Sequence, residues 1–254
     1  MKVVSYNVNG IRAAIKKGLI DWLKENDDID VFCVQETKSQ IEQLDNKAFE
    51  DLGYHISWHQ AEKKGYSGVA TFSKIKPDYV KIGIDNNKYD SEGRVLRTDF
   101  GDVTILNCYF PSGSSSEERH GFKMEYLKDF RPVVSELLSD RKKTIVVGDY
   151  NIVHQEIDIH NPERKDKPSG YRPEERAWMT EWFDMGFKDA FRHMYPDKQE
   201  FSWWSYRAGS RQRNKGWRID YISVSDKLSD KIADAGHFSE AKHSDHCPVW
   251  LQLK

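Results

Sequence analysis

Nine short runs rich in β-branched and aromatic residues punctuate the chain, at 2–8, 30–35, 54–59, 68–73, 94–100, 103–110, 144–147, 218–224 and 247–253. Each has the length of a strand. Helical patterning is concentrated in 16–26, 117–138 and 173–185, the last opening on Pro173, Glu174 and Glu175, residues that suit the positive end of a helix. Strand candidates thus outnumber helices by about three to one, too many for one small sheet and too few helices for a strictly alternating βαβ order. The pattern predicts an α/β protein with two sheets packed face to face and helices outside. No linker, repeat or shift of composition divides residues 1–254, which read as one domain.

Charge narrows the function classes. Lys and Arg total 39 and Asp and Glu 41, a net charge of −2, so binding of nucleic acid by bulk charge is excluded and any such affinity must come from local clusters. A chain of 254 residues with 38% hydrophobic residues and eight Trp can bury a sizeable core, which argues against disorder. Three Cys, without a Cys-x-x-Cys spacing, suggest buried thiols in a reducing compartment and no disulfide framework. The N-terminus turns polar after Val3 and Val4, and no run has the length of a membrane span. A cytoplasmic monomer that does not engage membranes is expected.

Several apolar runs end in polar groups that a buried strand would avoid. Residues 3–6 lead to Asn7, 31–34 to Glu36, 105–106 to Asn107 and Tyr109, and 144–147 to Asp149 and Asn151. Aligned strands would gather these side chains on one rim, at the carboxyl ends where sites form. Asp220 opens a further strand, and Asp245 and His246 precede the last. Singly, each has a plainer reading: Asx residues make turns, Glu36 suits a helix entry, and Asp220 could pair with Arg218. Together, such groups would be costly to bury for structure alone. There is no phosphate-cradling Gly-x-x-x-x-Gly-Lys loop, Gly-x-Ser-x-Gly elbow or motif-placed Cys nucleophile. Oxygen donors such as Glu36 and the Asn7 amide suit magnesium. Asp149 could take a proton from a water that Asn151 orients, and His246, held by Asp220, could stabilise charge on a phosphoryl oxygen. The set reads as metal-assisted hydrolysis of a phosphodiester.

These positions carry a resemblance. Ser5-Tyr6-Asn7-Val8-Asn9-Gly10-Ile11-Arg12, Gln35-Glu36-Thr37-Lys38, Gly65-Tyr66-Ser67-Gly68-Val69-Ala70, Tyr109-Phe110-Pro111-Ser112-Gly113, Gly148-Asp149-Tyr150-Asn151-Ile152, Gly216-Trp217-Arg218-Ile219-Asp220-Tyr221 and Ser244-Asp245-His246-Cys247-Pro248 occur in that order. In them the chain resembles the exodeoxyribonuclease III type of AP endonuclease, within the DNase I-like superfamily. The resemblance implies a four-layer sandwich of two packed sheets flanked by helices. It also implies Mg2+-dependent incision 5′ to an abasic site in double-stranded DNA, with Mn2+ as an alternative metal and 3′-5′ exonuclease or 3′-phosphatase activity as companions. By similarity, Glu36 carries the metal with Asn7 nearby and Asp245 close to the metal region. Asp149 handles the water, Tyr109, Asn151 and His246 contact the scissile phosphate, and Asp220 orients His246.

Two long irregular stretches, 157–172 and 201–217, are expected to meet substrate. Residues 201–219 hold Arg207, Arg211, Arg213, Lys215 and Arg218 with no acid, interleaved with Trp203, Trp204, Tyr206 and Trp217. Such a stretch can grip phosphates beside an apolar slot. Family similarity walls that slot with Trp203, Trp217 and Ile219, while Trp204 reads equally as a loop anchor. Ser112, in the run to Ser116, is a second candidate DNA contact. Two alternatives to the nuclease reading are a phosphoesterase acting on a lipid or inositol phosphate, and a non-catalytic module that binds abasic DNA.

Overall fold

A computed structural model describes residues 1–254. It contains twelve strands: β1 (Lys2–Asn7), β2 (Val31–Gln35), β3 (His55–His59), β4 (Val69–Ser73), β5 (Tyr79–Ile82), β6 (Val95–Phe100), β7 (Val103–Tyr109), β8 (Lys143–Asp149), β9 (Phe187–Asp189), β10 (Asp220–Ser225), β11 (Ile232–His237) and β12 (Val249–Leu253). They form two six-stranded sheets, in the orders β11-β12-β1-β2-β4-β3 and β5-β6-β7-β8-β10-β9. Each sheet is antiparallel except for one central parallel pair, β1 with β2 and β7 with β8.

All nine runs singled out from the sequence are strands, and three further strands appear. β5 is an edge strand whose Tyr79, Val80 and Ile82 are exposed, so it lacks the alternation of a half-buried strand. β9 has only three residues, and β11 contains two Ala and a Gly. The expected helix over 16–26 is two helices, Ile11–Lys16 and Leu19–Glu25, separated at Gly18, whose φ of 95° lies in the left-handed region. The other expected helices run Glu117–Asp140 and Pro173–Asp184, and Ser116 caps the first by accepting from the Arg119 amide.

Four layers follow from three apolar clusters. Val3, Cys33, Ile105, Ile145, Ile222 and Leu251 pack between the sheets. Tyr126, Phe130, Trp178 and Trp182 join the two long helices to the outer face of the second sheet, and Leu19, Leu23, Phe32 and Phe49 cover the outer face of the first. Cys33, Cys108 and Cys247 are all free and buried, and burial pushes the Cys33 thiol up to about 12. No helix is long and apolar enough to cross a membrane.

The interior between the sheets also carries a polar bridge. Asn107, on β7, donates across to the backbone carbonyls of Ala70 at 2.7 Å and Val34 at 3.2 Å. Gln35, on β2, donates to Asn107 Oδ1 at 2.7 Å and to Ser5 Oγ at 3.0 Å. Replacing Asn107 would take from the buried Gln35 amide one of its two acceptors, leaving only Ser5 Oγ. Asn107→Leu is therefore expected to lower the unfolding free energy by about 2 kcal/mol, read as a lower urea midpoint with an unchanged slope.

Candidate active site

The two parallel pairs bring the expected rim together. The carboxyl end of β1 lies beside that of β2, with Asn7 opposite Gln35, and the end of β7 beside that of β8, with Tyr109 opposite Asp149. β10 runs the other way, so it is its first residue, Asp220, that stands opposite Asp149. Glu36 and Asn151, just past β2 and β8, both have φ of 53°, turning the chain sharply at the rim.

Asn7 Nδ2 donates to Glu36 Oε1 and to Asp149 Oδ2, both at 2.8 Å, joining the two sheets. His246 Nδ1 lies 2.9 Å from Asp220 Oδ2, and its Nε2 lies 3.9 Å from Asp149 Oδ2. The backbone amide of Asn151 donates to Asp149 Oδ1 at 2.8 Å, and its side-chain amide donates to Asp149 Oδ2 and the Phe110 carbonyl. One ligand atom each from Glu36, Asp149 and His246 falls within 4.8 Å of the others, a candidate metal cluster. The two carboxylates suit a divalent cation, which prefers oxygen ligands.

The electrostatics follow from burial and crowding. Burial, then Asp220 and Glu36, push the Asp149 carboxyl up to about 7. Burial alone would lower His246, but Asp220, Asp149 and Asp245 raise it to about 10, so the imidazole is charged at neutral pH. Burial would raise Glu36, yet the Lys38 ammonium, 2.6 Å from Oε2, and the Asn7 amide hold it below the usual carboxylate range. Burial and the carboxylates of Glu36 and Asp149 keep the Tyr109 phenol neutral, well above its ordinary value.

Some expected residues lie elsewhere or face otherwise. Asn7 does not turn its oxygen to the cluster: Oδ1 accepts from the Asn9 amide, leaving its NH2 to bridge the carboxylates. Asp245 stands outside the cluster, accepting from Asn9 Nδ2 at 2.9 Å and Trp203 Nε1 at 3.0 Å. Arg218 is corrected as a DNA contact, because it is 1% exposed and paired with Asp158 and Asp189 at 2.7 Å. The plainer pairing of Asp220 with Arg218 is likewise replaced by Asp220 with His246. Arg211 is spent on the carbonyls of Ser239, Ala241 and Ser244, which leaves Arg207, Arg213 and Lys215 as the exposed bases of the loop.

Trp203 and Trp217 meet edge to face, with ring centroids 5.8 Å apart, and pack with Ile219 in one cluster. Trp203 also lies 6.5 Å from the His246 ring. Trp204 is buried with Phe201 and Cys247 as an anchor of the loop. Ser112 is half-buried and bonded to Ser114. Two residues went unpredicted, Lys38 and Asn9. Lys38 donates to Asn9 Oδ1 at 2.6 Å, extending the polar chain from Glu36 to Asp245. Both sit within motifs quoted above, and the pairing of a base beside Glu36 was the available signal.

The sequence model of the endonuclease/exonuclease/phosphatase family matches residues 4–246. The chain is 44% identical over 254 residues to an exodeoxyribonuclease of Bacillus subtilis, covering 99% of this chain and 98% of that one. The structure of an AP endonuclease from Archaeoglobus fulgidus aligns with a TM-score of 0.91 at 28% identity, covering 100% of this chain and 99% of the other. That of a 3′-5′ exonuclease from Neisseria meningitidis aligns with a TM-score of 0.93 at 26% identity and covers 100% of both.

The raised His246 makes a stability signature. Because its pKa is higher folded than unfolded, its contribution is full below about pH 6.5 and is lost as pH rises through about 10. In EDTA, the thermal midpoint is expected to fall across that window, and Asp220→Asn to flatten the fall. Parallel pH curves for the two proteins would contradict the pairing.

Proposed function

Because the chain belongs to the endonuclease/exonuclease/phosphatase family, on its exodeoxyribonuclease III and AP endonuclease branch, we propose that it cuts duplex DNA 5′ to an abasic nucleotide. It is a DNA repair nuclease and a metal-dependent phosphodiesterase. The observation that supports this substrate is the Trp203–Trp217 pair beside His246, an apolar surface adjoining the charged cluster.

In this reading Glu36 would hold Mg2+, with Mn2+ the alternative, and the cation would supply positive charge against phosphate oxygens. Asp149, raised toward neutrality, accepts a proton from the attacking water, and Asn7 fixes the carboxylate's orientation. Charged His246, held by Asp220, faces the charge that develops on the phosphoryl group. Tyr109 stays protonated and donates to a phosphate oxygen, as does the Asn151 amide. Trp203 and Trp217, backed by the buried Ile219, receive a sugar that has lost its base, while Ser112, Arg207, Arg213 and Lys215 meet flanking phosphates.

The purified protein with Mg2+ is expected to incise a duplex containing a tetrahydrofuran abasic analogue, leaving a 3′-hydroxyl, and EDTA to abolish the reaction. Glu36→Ala, Asp149→Asn and His246→Ala should each lower kcat by about 10²- to 10⁴-fold with the fold intact. Recessed 3′-hydroxyl and 3′-phosphate ends, assayed alongside, give the balance of activities. Turnover only on sphingomyelin or an inositol phosphate would overturn the DNA substrate, and binding without incision across divalent metals would overturn catalysis.

A further inference from the structure

Behind the rim lies an ion pair with no exposed side-chain surface. Lys123, from the Glu117–Asp140 helix, and Glu175, from the first turn of the Pro173–Asp184 helix, are both 0% exposed, with Nζ 2.6 Å from Oε1. Taking both charges out of water is unfavourable, and an apolar pair of similar volume is often at least as stable. Stability by itself gives little reason for this pair.

Its hydrogen bonds end on the two segments that make the site. Lys123 Nζ donates to the Asn151 carbonyl at 2.7 Å. Glu175 accepts from Ser169 Oγ at 3.1 Å and from the backbone amides of Gly170 at 2.6 Å and Arg172 at 3.0 Å. Asn151 is held in the left-handed region while its amide reaches Asp149. Gly170, with φ of +95°, is pressed between the two sides of the site: a Cβ there would lie 3.0 Å from the Asn151 carbonyl and 3.0 Å from Trp217 Cζ3. The Gly170 carbonyl in turn accepts from the Val153 amide at 2.7 Å.

We propose that Lys123 and Glu175 are a positioning pair that locks the Asn151 turn to the Gly170 segment behind Trp217, so that one buried junction sets both turnover and discrimination for an abasic nucleotide. The inference rests on the substrate reading above for its second half only. Neither side chain touches DNA; each acts through a backbone group it holds.

The test compares Lys123→Met, Lys123→Arg and the double variant Lys123→Met/Glu175→Met with the wild type. On the tetrahydrofuran duplex with Mg2+, Lys123→Met should lower kcat about 100-fold while KM stays within about threefold. Removal of a 3′-terminal nucleotide, which does not need the abasic slot, should fall about tenfold less than incision. Lys123→Arg should recover part of kcat. The double variant removes the stranded charge, so its thermal midpoint should return close to that of the wild type while kcat stays low. In protein labelled with 5-fluorotryptophan, the Trp217 resonance should shift or broaden in Lys123→Met and in the double variant, with that of Trp22, on the Leu19–Glu25 helix outside the first sheet, unchanged. A double variant with kcat within about threefold of wild type, or an unmoved Trp217 resonance, overturns the proposal. If the wild type does not incise the abasic duplex, the substrate reading fails separately. The pair is then judged by the Trp217 resonance and by 3′-nucleotide removal, and unchanged values of both overturn it.

Discussion

The amide of Asn7 is bound at once to a carboxylate from its own sheet and to one from the facing sheet. For that contact to exist, β1 and β8 must end at the same height, each on the correct face. Side chains alternate along a strand, so a slip of one residue in either parallel pair would turn Asn7 or Asp149 away from the rim. The Gln35–Asn107 bridge fixes the offset between the sheets from inside, one residue before the rim on β2 and two before it on β7. Packing of valines and isoleucines sets the spacing of the sheets, but it is indifferent to sliding. The buried amides supply the register, and the site inherits its geometry from them.

The same convergence explains the electrostatics. Glu36, Asp149, Asp220 and Asp245 arrive from different segments, and each meets a different partner. Lys38 and Asn7 face Glu36, His246 faces Asp220, and Asn9 and Trp203 face Asp245. Asp149 receives only amide donors and a more distant imidazole, while two other carboxylates press on it. Of the site carboxyls whose affinity for protons is shifted, it is the one that rises, and its place in the crowd is the cause.

The strands and the rim were legible because period and polarity disagree there: apolar runs that end on Asn7, Glu36, Tyr109 and Asp149 mark strand ends as clearly as they mark chemistry. Where a strand is exposed on both faces, as at Tyr79–Ile82, or is three residues long, as at Phe187–Asp189, there is no period to read. Side-chain partners were less legible than positions. Arg218 sits in an acid-free stretch of sequence, yet its acids, Asp158 and Asp189, come from loops and strands far along the chain. Lys123 resembles any solvent-facing lysine of a long helix, and only the packing of a second helix shows that it is enclosed. The direction of the Asn7 amide likewise depends on a neighbour, the Asn9 amide, whose position is set by the turn after β1.

The three buried thiols have a consequence for how the molecule meets its surroundings. Cys33, Cys108 and Cys247 all have their acidities suppressed by burial, so almost none of their sulfur is thiolate at neutral pH. Peroxides, electrophiles and disulfide exchange partners attack the thiolate, and they must also reach it. Neither condition is met while the separate apolar clusters that enclose Cys33, Cys108 and Cys247 remain packed. None of these sulfurs takes part in the charged cluster of Glu36, Asp149 and His246. The folded state and its chemistry are therefore uncoupled from the redox poise of the solution around them.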